Sequence, residues 1–174
     1  MNDLYEEKKE ELDKRREEDP IFVVEKSAEI LSKHVKKIVD DHAGELDDYI
    51  DTVNNILLKN EPTNAELNKI IMNIPVLVYY LSAKTESVSL RENVAKEVYK
   101  DVYHTTLLTS TGTDTVKKSK AEERSQKEKL TSIAYTNAYK TLNYKVDIAM
   151  ELLNSAKKVL SARLSEMAME RGDK

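Results

Sequence analysis

The sequence predicts an all-α protein: an elongated helical bundle that ends in a long amphipathic helix. Three observations carry that expectation. Gly and Pro number only three each in 174 residues, too few for the frequent turns of a hairpin-rich sheet. Apolar residues recur at spacings of three and four instead of alternating, which is the helical period. No Gly or Pro interrupts the chain from Thr115 to Arg171. At 40% hydrophobic residues the chain can fill a core. Its 34% of charged residues exceeds the roughly 25% of an ordinary globular domain.

Residues 1–19 hold 9 acidic and 5 basic side chains and few apolar ones. They read as a charged, frayed N-terminal helix that folding does not need. Asp19-Pro20 reads as an N-cap followed by proline at the first helical position. Val24, Ala28, Leu31, Val35, Ile38 and His42 then form an amphipathic stripe. Gly44 reads as the stop of that helix, and Leu46, Ile50, Val53 and Leu57 as a second, shorter one. Residues 20–60 are thus expected to be an acidic helical pair.

Residues 61–174 are expected to be the helical core. Glu61-Pro62 breaks the chain. Thr63 and Glu66 then have the spacing of a capping box ahead of Leu67, Ile70, Ile71 and Ile74. Pro75 lacks a backbone donor and crowds the preceding turn, so a kink or a break is expected there. Val76–Leu81 has strand-like composition but no partner strand, so helix is expected, running through Val88, Val94, Ala95, Val98 and Val102 to about Leu108. The Ser/Thr-rich stretch 109–114 around Gly112 reads as a loop, with Asp114 capping the next helix. Beyond it, the chain either projects as one helix of about 80 Å or bends back near Thr131–Thr141. Leu142, Val146, Ala149, Leu153, Ala156 and Leu160 step by 4, 3, 4, 3, 4, a coiled-coil-like seam. Leu164 and Met167 extend it after a phase slip. The seam is either buried inside the chain's own bundle or an oligomerisation interface, and the length of the helix favours the interface.

Catalytic chemistry is hard to find. The chain has no Cys, which removes thiol catalysis, disulfides and the usual structural zinc ligands. It contains no phosphate-binding loop and no nucleophile elbow. His34 and His42 lie about 12 Å apart along a helix, too far to share a metal. Asp101 and His104 lack the further carboxylates that a di-iron bundle needs. Asp40, Asp41, Glu45, Asp47, Asp48 and Asp51 lack EF-hand spacing and read as a solvated acidic corner. No cofactor, metal or catalytic residue is expected. The N-terminus is too charged for a signal peptide, and no apolar run reaches the ~18 residues of a membrane span. A cytoplasmic protein is therefore expected.

Charge is unevenly placed. Residues 1–60 hold 17 acidic and 10 basic side chains, and residues 61–174 hold 15 and 18. From Lys117 to Arg163 the count is 11 basic to 5 acidic. A local basic surface attracts phosphate whatever the overall charge. Tyrosines lie among these cations: Tyr99 and Tyr103 beside Lys96 and Lys100, and Tyr135 and Tyr139 ahead of Lys140, Tyr144 and Lys145. A cationic groove with stacking rings is how single strands are commonly held. Tyrosines at helical spacing are equally read as half-buried core residues, and lysine runs as a solvated helix face.

From about Val76 onward the chain resembles the UvsY type of phage recombination mediator. The resemblance rests on AKEVYKDVYHTTLLTSTGTD (95–114), KKSKAEERSQKEKL (117–130) and AYKTLNYKVDIAMELLNSAKKVLSARLSEM (138–167). These match a basic-aromatic helix end and Gly-containing loop, a Lys/Glu-rich segment, and an amphipathic C-terminal helix that builds the oligomer. The Ser/Thr loop replaces the family's Gly-Arg-Gly-like loop, and residues 1–75 have no counterpart. The resemblance implies a non-enzymatic, homo-oligomeric single-stranded DNA-binding protein of a phage. Such proteins load a RecA-like recombinase onto strands covered by a single-strand-binding protein. It places DNA contacts on Lys96 and Lys100. The basic run adds Lys117, Lys118 and Lys120, and the aromatic spacing adds Tyr135 and Tyr139. The competing expectation is a helical assembly, scaffold or host-protein-binding adaptor that acts only through protein–protein contacts.

Overall fold

The computed structural model describes residues 20–59 and 61–172, with side chains for 24–59 and 61–170. The expectations for residues 1–19, including capping by Asp19, lie outside the described residues. Among the described residues four helices follow one another: α1 Pro20–Leu57, α2 Asn64–Thr109, α3 Asp114–Arg124 and α4 Gln126–Gly172. No strand occurs among the described residues, and Val76–Leu81 is helical as expected. At about 1.5 Å per residue, α2 and α4 are each roughly 70 Å long.

The long helices form an up-down-up bundle. The Tyr49 hydroxyl donates to the Lys69 carbonyl across the short α1–α2 connection, at 3.1 Å. Thr136 reaches Glu92, and Arg163 donates to the Pro62 carbonyl, so α4 runs antiparallel to α2. Lys145 pairs with Asp47 at 2.5 Å, which sets α4 parallel to α1. The core lies between the three: Val39, Ala43, Leu46 and Val53 from α1, Leu67, Ile70, Ile74, Leu81 and Val88 from α2, and Leu142, Ala149, Leu153 and Ala156 from α4. α3 packs on the C-terminal part of α2, with Ala121 buried.

Several expectations change. α1 continues through Gly44, so residues 20–57 are one helix and not a pair. Ala43 and Leu46 are both buried, and packing of that face outweighs the roughly 1 kcal/mol that glycine costs a helix interior. α2 likewise runs through Pro75 without a break. Ile74 before it and Leu81 after it are buried on one face, and their packing holds the helix through the missing hydrogen bond. The turn after α2 falls at Ser110–Thr113. Gly112 occupies the left-handed region with φ 124°, where a Cβ would be strained and would also meet the Val116 side chain at 3.1 Å. Thr113, not Asp114, is the N-cap. Asp114 sits in the first turn, where its charge suits the helix dipole. Beyond the loop neither the single unbroken helix nor a bend near Thr131–Thr141 occurs; the helix is interrupted at Ser125. Its buried hydroxyl donates to the Ala121 carbonyl at 2.7 Å, and α4 starts afresh at Gln126.

The capping box forms as expected. The Glu66 amide donates to Thr63 Oγ1 at 3.2 Å, and the Thr63 amide donates to Glu66 Oε2 at 2.8 Å. Lys59 adds an ion pair to Glu66 Oε1 at 2.6 Å. The Lys59 ammonium, then the Thr63 amide and hydroxyl, hold the Glu66 carboxyl down at about 2.

Candidate interaction surfaces

The expected seam is spent inside the chain. Leu142, Ala149, Leu153 and Ala156 are buried, and Val146 and Leu160 are half-buried against the same core. α1 and α2 of the same chain cover these side chains. Assigning them to oligomerisation is therefore corrected: they are core residues. A 47-residue helix favours an interface only where nothing in its own chain is long enough to cover it. Helices of 38 and 46 residues lie alongside it. Beyond the core, Leu164 and Met167 are exposed.

The expected DNA-contacting residues are distributed over three helices. On α2, Lys96 is bound to Glu92 at 2.5 Å and Lys100 to Glu97 at 2.7 Å. On α3, Lys118 and Lys120 are exposed and Lys117 is half-buried. Lys120 reaches toward the Thr111 carbonyl at 3.5 Å. Tyr135 and Tyr139 on α4 are half-buried and pack against the core. Tyr135 also lines a groove of about 870 Å³ between the N-terminal half of α1 and the start of α4, opposite Ile30, Leu31 and His34. Tyr99 and Tyr103 are half-buried neighbours with ring centroids 6.3 Å apart.

Glu92 ties the α2–α4 contact together. Its carboxylate accepts from Lys96 and, at 2.9 Å, from the Thr136 hydroxyl. The Lys96 hydrogen bond lowers its pKa, burial opposes this, and Thr136 and the Lys140 charge assist. Asp47, expected in a solvated acidic corner, is instead half-buried in its ion pair with Lys145. His42 Nδ1 is bonded to the Ile38 carbonyl at 2.7 Å. No group of His, Cys, Asp and Glu among the described residues is arranged to hold a metal. No helix among them is long and apolar enough to cross a membrane.

Sequence reasoning missed the most prominent surface. α2 is apolar on two opposite sides. Leu67, Ile70, Ile74, Leu81 and Val88 face the core at 0–2% exposure. Met72 (71%), Val76 (53%), Tyr79 (74%), Leu90 (65%) and Val94 (56%) lie exposed. At 100° per residue the two sets fall on opposite sides of the helix. A one-sided stripe is what a surface helix normally carries. The signal is present in the sequence as apolar residues at nearly every position of Ile70–Leu81, of which Ile70, Ile71 and Ile74 read as one helix face and Val76–Leu81 as strand-like in composition. Compared with protein-family models, curated proteins and solved structures, the chain matches none.

Proposed function

We propose that the protein is a non-enzymatic helical binding module that acts through protein–protein contacts made by the outer face of α2. The observation that carries this is the run of exposed apolar side chains from Met72 to Val94, opposite a face that already supplies the core. Exposed apolar surface in a contiguous stripe costs solubility unless a partner covers it. Tyrosine and leucine anchors on a rigid helix are suited to a groove or a second helix. A photo-crosslinking residue placed at Tyr79, with a control at exposed Lys158, tests this in the producing cell. Adducts of raised mass from position 79 and none from 158 are expected. No adduct from 79 would refute the proposal.

The second reading is a single-stranded DNA-binding recombination mediator in a phage, acting with a RecA-like recombinase. It rests on the resemblance of residues 95–167 and on the exposed cations Lys118 and Lys120 of α3. Anisotropy titration of a labelled single strand at two salt concentrations tests it. Each phosphate neutralised adds about 0.7 to the log–log slope. Salt-steep binding that flattens when Lys117, Lys118 and Lys120 are changed to Ala would support this reading. Absence of binding at low salt would exclude it.

A further inference from the structure

The exposed stripe of α2 is centred on Ala83, with apolar side chains seven and eleven residues away on either side. Counting outward from Ala83, Tyr79 and Ser87 lie four residues away, Val76 and Leu90 seven, Met72 and Val94 eleven, and Lys69 and Glu97 fourteen. The spacing from Met72 through Ala83 to Val94 is eleven residues each way, and an 11-residue repeat stays on one face of a nearly straight helix. All nine residues are half-buried or exposed and none belongs to the core.

We infer that the partner on this face is a second copy of the chain, with α2 packed antiparallel on α2 about a two-fold axis at Ala83. This rests on the protein-contact reading and names its partner. An antiparallel two-fold pair places residues equidistant from the axis at one level, on opposite chains. The levels seven, eleven and fourteen residues from the axis are then complementary. Ala83 meets Ala83 at the crossing, where small side chains let two helices approach. The Tyr79 ring lies over the small Ser87. Val76 meets Leu90, and Met72 meets Val94, so the apolar layers coincide. Lys69 meets Glu97, which also holds Lys100 of its own helix at 2.7 Å, so opposite charges meet at each end of the seam, twice by symmetry. A contact in which one patch serves both subunits is the isologous geometry of most homodimers. A parallel pair would set Lys69 beside Lys69 and Glu97 beside Glu97. It would also stack Tyr79 on Tyr79 and leave Ser87 against Ser87. Opposed like charges disfavour that arrangement.

The absence of native Cys makes disulfide trapping a clean test. Ala83→Cys should give a covalent dimer on oxidation, because the two Cβ atoms meet near the axis. Val76→Cys and Leu90→Cys should each stay largely uncrosslinked alone and should crosslink with each other when mixed. Light scattering of the unmodified protein at ~100 µM should give twice the chain mass. Lys69→Glu should shift it toward monomer, and adding Glu97→Lys should restore the dimer. Monomeric unmodified protein would overturn the inference. So would Val76→Cys crosslinking with itself as readily as with Leu90→Cys. An adduct at position 79 of a mass other than two chains, with monomer in light scattering, would remove the second copy and leave the protein-contact reading standing.

Discussion

The hydroxyl of Thr136 on α4 donates to the carboxylate of Glu92 on α2, 2.9 Å away across the bundle. Glu92 is nearly covered, with a side chain 9% exposed. Lys96, one turn further along α2, shares the same oxygen.

Replacing Glu92 with Ala should therefore cost about 1–3 kcal/mol, because it leaves the Thr136 hydroxyl without its acceptor and Lys96 without its counter-charge. Thr136→Val should cost about 1 kcal/mol. Denaturant titration of both single variants and the double should give a coupling of at least about 0.5 kcal/mol. Strictly additive losses would mean that the bond does not contribute.

Gly44→Ala should stabilise the protein by about 0.5–1 kcal/mol. Gly44 lies inside α1, its φ is not positive, and a Cβ there would meet nothing within 4 Å. Alanine removes unfolded-state freedom without creating a clash. A raised melting temperature is the expected readout, and a lowered one would contradict the continuous helix.

Leu142 is fully buried. Leu142→Ala should lose about 2–5 kcal/mol of folding stability, the range for a large-to-small change in a packed core. The loss should not depend on protein concentration, since the side chain is covered within its own chain. A concentration-dependent loss would return the α4 seam to the role of subunit interface.

The capping box makes stability depend on acid. Glu66 has its pKa lowered from 4.5 to about 2 in the folded chain. A lowered carboxylate pKa contributes stability that is present above the unfolded value and is lost as pH falls toward the folded one. Melting temperature should therefore fall between about pH 5 and pH 2, and the fall should be shallower in Glu66→Ala. Glu92, also lowered, contributes in the same direction. An identical acid profile for Glu66→Ala would mean that Lys59 and Thr63 do not hold the carboxylate.

The helix ends that carry their own chemistry were legible in the sequence. The Thr63–Glu66 box and the Gly112 turn are both where local residue types place them. What escaped is what packing decides. Gly44 reads as a helix stop and Pro75 as a kink or a break because local propensity disfavours helix there. Buried neighbours on either side override that preference, and nothing in a short window reveals them. The Leu142–Leu160 period was visible, but its covering partner was not. A seam looks the same whether its partner is α2 of the same chain or α4 of another. The outer stripe of α2 was hidden for a related reason. When both faces of a helix are apolar the period that betrays an amphipathic helix fades, and only the fold separates the covered residues from the exposed ones.

Methionine oxidation offers the most direct test that the outer face of α2 is a contact surface, because it needs no substitution. Met72 on that face and Met169 near the end of α4 are 71% and 68% exposed, so they start from equal accessibility. Peroxide should convert both to the sulfoxide at similar rates in dilute purified protein. In undiluted extract of the producing cells, peptide mass spectrometry should find Met72 oxidised several-fold more slowly than Met169. Equal rates for the two methionines in that extract would contradict a covered α2 face.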